Sequence, residues 1–95
     1  MMIAECRVET ASASKYIAQL CKHFAHKITV EYDATTGRAD FPWGVCRMNA
    51  GDAALTLHCE AQDAEGLNRI KAVIEDHLGR FAWREKPALT WTDAS

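Results

Sequence analysis

The stretch "ITVEYDATTGRADFPWGVCRMNAGDAALTLHCEA", Ile28 to Ala61, decides the fold. Apolar residues recur at every second position in three separate runs. These are Ile28, Val30 and Tyr32, then Cys46, Met48 and Ala50, then Leu55, Leu57, Cys59 and Ala61. A period of two is that of a strand with one face buried. "ATTG" and "AGDA" separate the runs as turns, and Gly37 is able to take the positive φ that closes a hairpin. Strands joined by turns this short pair antiparallel. The middle of the stretch is the least regular. Pro42 has no N–H for a ladder, so "FPWG" marks an edge, a bulge or a bend, and the pattern leaves open whether it divides one strand into two.

Outward from this core, "AECRVE" alternates Ala4, Cys6 and Val8 with charged residues and reads as a strand. "TASASKYIAQLCKHFAHK" follows, with Thr10, Ser12 and Ser14 as N-cap choices and Ala13, Ile17, Leu20 and Phe24 at helical spacing. On the far side, Asp63 caps a second helix with the stripe Leu67, Ile70, Ile74, Leu78 and Phe81. Gly79 either ends that helix or is passed through, and Pro87 stops it in any case. "ALTWT" has the character of a short closing strand. The order is β-α-β-β-β-α with that short last strand. It predicts an α+β two-layer sandwich, an antiparallel sheet of about four strands with two helices on one face. At 95 residues, 1–95 is expected to be a single domain.

Composition narrows the function classes. The chain is 48% hydrophobic and 25% charged, which is globular, and its net charge of −2 recommends neither nucleic acid nor an anionic membrane as partner. No run approaches the ~20 apolar residues of a membrane span. The opening "MMIAECRVE" meets charge at Glu5 and lacks a signal-peptide core, so the expected compartment is the cytoplasm. Cys6, Cys21, Cys46 and Cys59 are then thiols, and their wide spacing contains no C-x-x-C.

Cys21, His23 and His26 lie within six residues and resemble a metal or catalytic cluster. A helix turns about 100° per residue, which puts Cys21 and His23 about 160° apart, on faces that cannot share one ion. His23 and His26 share a flank, and His77 on the second helix is the natural third ligand for a metal. Against it, parallel helices would point their equivalent flanks the same way. Cys6, Cys46 and Cys59 fall on the inward phase of their strands, with Cys46 and Cys59 as neighbours, whereas Cys21 beside Lys22 lies off the buried stripe. The outward sheet face carries more acids than bases, which argues against a single-stranded RNA platform. The first helix has Lys15, Lys22 and Lys27 with no acid, a bipolar arrangement that could steer a charged partner or a second copy. Trp43, Phe81, Trp83 and Trp91 read as aromatics that close the open end of the core, and a small-ligand pocket lined by Trp43, Trp83 and Arg84 is the alternative.

With "KHFAHK" (Lys22 to Lys27), "FPWGVC" and "RFAWRE" (Arg80 to Glu85) read, the chain resembles the small bacterial proteins of domain of unknown function family 2218, from about Val8 to Trp91. Trp83 stands where that family leads one to expect Phe. The resemblance implies a protein of this size without an assigned activity, and a loose link to iron and siderophore handling. No residue role carries over from it. No carboxylate pair, nucleophile–base pair or Gly-rich phosphate loop can be placed on the pattern. The expectation is therefore a non-catalytic binding or accessory domain without cofactor. The alternatives are a metal protein using His23, His26 and His77, and a homodimer formed through an uncovered sheet edge.

Overall fold

The computed structural model describes residues 1–82 and 89–93. Its elements are β1 (Met2–Glu9), α1 (Ala13–Phe24), β2 (Thr29–Tyr32), β3 (Thr36–Phe41), β4 (Gly44–Ala50), β5 (Ala54–Ala61), α2 (Ala64–Phe81) and β6 (Trp91–Asp93). The strands form an antiparallel sheet in the order β2-β3-β4-β5-β1-β6. The α+β class is as expected, but the sheet has six strands rather than about four.

The extra strands have two sources. Phe41 pairs with Gly44, so Pro42 and Trp43 are the two residues of a tight turn, and the proline divides the segment into β3 and β4. The closing strand β6 pairs with β1, with Cys6 opposite Trp91. Trp91 Nε1 donates to Glu75 of α2 at 2.6 Å, and Lys71 lies 3.6 Å from Asp93, which ties this short edge to the helix.

Register explains the two faces. Cys6, Leu57, Met48 and Gly37 are successive partners across β1, β5, β4 and β3, and all four are buried beneath the helices. One residue along, Glu5, His58, Arg47, Arg38 and Glu31 form a second row across β1, β5, β4, β3 and β2, pointing away from the helices. The strand period alone produces this division, because successive side chains point to opposite faces. Cys46 and Cys59 face each other, both fully buried, and all four cysteines are free thiols.

Three local expectations need correction. The β2–β3 turn is closed by Asp33, whose Oδ1 accepts from the N–H groups of Thr35 and Thr36 at 2.8 Å each, rather than by Gly37. Gly37 lies inside β3 because α1 presses on it. A Cβ there would stand 2.8 Å from Ile17 Cγ2 and 3.3 Å from Cys21 Sγ. The same close approach buries Cys21, which is 0% exposed, and that desolvation pushes its thiol above the ordinary range. Cys21 therefore lies within the buried face rather than off the stripe, away from the exposure that a reactive thiol needs. Finally, α1 ends at Phe24, so His26 belongs to the following turn instead of the helix. Asp63 does cap α2, accepting from Gly66 N–H at 2.7 Å, and that helix passes through Gly79 to Phe81.

The open face has one notable polar group. His58 Nδ1 lies 3.2 Å from Glu5 and its Nε2 lies 2.9 Å from Glu60, whose same oxygen accepts from Arg47 at 2.7 Å. The hydrogen bond to Glu5, and then that to Glu60, raise the His58 pKa. A raised folded value means that the native state holds the proton more tightly. The stabilisation is complete below the unfolded histidine pKa and fades as pH rises through the folded value. His58→Gln should therefore lose stability relative to the parent in mild acid, by about 1 kcal/mol or less for so solvated a group, and match it in mild base. Urea unfolding at both pH values reads this, and an equal difference at both would discount the ionic contribution.

Candidate functional site

The β3–β4 turn, the C-terminal end of α1 and the middle of α2 converge on a chain of rings. Trp43 stacks on Phe41 with centroids 5.9 Å apart and planes 13° apart. Phe41 meets Phe24 edge-on at 5.3 Å, and Phe24 meets His77 edge-on at 5.2 Å. His77 then lies 4.4 Å from His23. Each ring has a local reason for its place. Trp43 is projected by the two-residue turn, and α2 can pass close beside it because its first turn carries Gly66, where a Cβ would come within 3.1 Å of the Trp43 carbonyl. Phe24 ends the buried stripe of α1, and His77 lies one turn before Phe81 on α2.

Between these rings lies a cleft of about 350 Å³, lined also by Lys27, Ile28, Pro42 and Val73. That volume is at the low end of the ~300–1,000 Å³ typical of small-molecule sites, and the walls are mainly apolar, as such sites require. A second and wider cleft of about 660 Å³ opens along the β3–β4 turn and the start of α2, with Asp40, Glu60, Asp63, Glu65 and Arg69 on its walls. Arg69 sits 5.5 Å from the Trp43 ring while pairing with Glu65 at 3.0 Å.

The polar groups of the smaller cleft are His23, Lys27 and His77. His77 Nδ1 donates to the Val73 carbonyl at 2.7 Å in the tautomer that carries its proton there, which makes Nε2 an acceptor. The His23 pKa is lowered by desolvation first, then by His77, His26, Lys27 and Arg80. Among the described residues, the side chains that lower it are all bases.

The meeting of His23 and His77 overturns the expectation that equivalent helix flanks diverge. Glu9 pairs with Ala54 and Met2 with Ala61, so α1 and α2 leave antiparallel neighbours from opposite ends of the sheet. His26 lies in the turn after α1. Among the described residues, no group of three or more His, Cys, Asp or Glu side chains could hold a metal ion. Of the suggested ligand residues, Trp43 lines both clefts, whereas Trp83 and Arg84 lie outside the described residues. Phe24, Lys27, Ile28, Phe41, Pro42 and Val73 are the lining residues that sequence reasoning missed. Phe24 was legible as core, but nothing local could show that Phe41 would reach it across the sheet.

Fold and cleft together define a small α+β domain with helices on one face of an antiparallel sheet and an aromatic cleft where the helices meet the β3–β4 turn. The chain belongs to the bacterial family described as "Uncharacterized protein conserved in bacteria", domain of unknown function family 2218, whose model matches residues 5–92. It is also similar to PA4090 from Pseudomonas aeruginosa, a structure determined by NMR. The two are 32% identical over 97% of this chain and 96% of that one, with a TM-score of 0.83. No curated protein matches. Neither description names a ligand, a metal or a partner. Among the described residues, no helix is long and apolar enough to cross a membrane.

Proposed function

We propose that this protein is a non-catalytic binding domain whose ligand is a small molecule seated in the cleft between Trp43, Phe24 and His77. The observation that carries the reading is the convergence of three elements on one small, mainly apolar cleft with few polar groups at its rim. Support for the absence of catalysis is chemical. The four thiols are buried, and the rings touching His23 and His77 are aromatic rather than nucleophilic.

Val73→Phe tests this reading, because Val73 is half-buried on the cleft wall and a larger ring there would occupy the space. Mono- and bicyclic aromatic fragments are expected to raise the melting temperature of the parent protein, as any ligand of the native state must. They should leave that of Val73→Phe unchanged. Fragments that stabilise both proteins equally would move the site elsewhere.

A second reading, a metal bridged by His23 and His77 without His26, draws on the 4.4 Å approach of these two rings. It requires Zn²⁺ to raise the melting temperature of the parent and to have no effect on His77→Gln.

A further inference from the structure

We infer that the smaller cleft takes a planar aromatic carboxylate; the inference rests on the ligand-binding reading and narrows it to one chemical class. Shape is the first argument. Phe41 and Trp43 line the cleft as a stacked pair with planes 13° apart, a setting that favours a further flat ring. Charge is the second. Among the described residues lining the cleft, the ionisable ones are His23, Lys27 and His77, all bases, with no carboxylate beside them. Lys27 would repel a cationic ligand on entry, and a neutral ligand would leave its charge without a partner in the cleft.

The contrast with the wider cleft sharpens the point. Its walls carry four carboxylates, so the molecule presents opposite signs in two neighbouring clefts that share Trp43. A carboxylate fits better than a phosphate, which would need more donors than two imidazoles and one flexible lysine provide. With its Nδ1 held by the Val73 carbonyl, His77 keeps Nε2 as its remaining polar atom, while Lys27 at the exposed rim supplies an ammonium group for the carboxylate. His23 is faced by His77 and Arg80 from α2 and by His26 and Lys27 from the turn, and Arg80 is itself paired with Asp76 at 3.1 Å.

The probes are 2-naphthoate, 2-naphthylmethanol and 2-naphthylmethylamine, which share one ring system and differ in charge. Their binding to the full chain at low salt is measured by calorimetry. The carboxylate is expected to bind at least about tenfold more tightly than the alcohol, with the amine weakest. That preference should shrink in Lys27→Gln, whose exposed side chain leaves folding undisturbed. Equal or tighter binding of the alcohol or the amine overturns the inference while leaving a ligand cleft in place. Undiminished naphthoate binding by Val73→Phe overturns it too, by locating the anion elsewhere. If none of the three binds the parent protein, the ligand-binding reading falls with it.

Discussion

Replacing Gly44 by alanine is expected to destabilise the protein by upwards of about 3 kcal/mol, a large share of the ~5–15 kcal/mol that holds a domain of this size together. Gly44 opens β4 immediately after the Pro42–Trp43 turn, with φ at +157°. A Cβ built there would run into the backbone carbonyl of Glu60, with the Cα of Ala61 only 3.0 Å away. Both obstacles are main chain of the neighbouring strand β5, so no rotamer change relieves them. Either the β4–β5 ladder opens at this end or the turn moves, and the turn carries Trp43 into the cleft. Urea unfolding of Gly44→Ala against the parent measures the loss. A difference below about 1 kcal/mol would mean that the hairpin can shift at little cost, and the role given to Gly44 would be wrong.

The second large effect separates the two faces of the sheet. Leu57 is 1% exposed, in the buried row between Cys6 and Met48, at the centre of the sheet. Leu57→Ala removes packed apolar volume that the surrounding strands cannot refill, and should cost about 2–5 kcal/mol. Thr56, one residue earlier, points to the open face and donates to the Asn49 carbonyl at a long 3.3 Å. Thr56→Ala should cost less than about 1 kcal/mol, the span of strand propensity on a solvated face. Comparable losses at the two positions would show that the polar face is also covered, and the one-sided sandwich would not stand.

Element types were legible because they depend on short-range periods. The alternation in "ALTLHCEA" placed Leu55, Leu57, Cys59 and Ala61 on the buried side of β5, where they are. Asp63 was recognisable as the cap of α2 because an N-cap acts on N–H groups two or three residues on. Gly37 was misread for an equally physical reason. A glycine chosen for close approach by a helix looks the same in sequence as one chosen for its φ, and only the packing of α1 on β3 tells them apart. Cys21 was misplaced likewise, since a stripe centred on Leu20 understates how wide a helix face six strands can bury.

The sequence by itself determined the α+β class, the inward and outward residues of the long strands, the core stripe of each helix and the family. All of these are set by neighbours a few positions apart. Tertiary structure alone decided that Pro42 and Trp43 form a turn rather than a bend, that β6 closes on β1, and that His23 meets His77 beside Phe24 and Phe41. The helix-flank contacts among these join residues tens of positions apart. They follow from the antiparallel pairing of β1 with β5, which sends α1 and α2 out from opposite ends of the sheet and brings their flanking rings together.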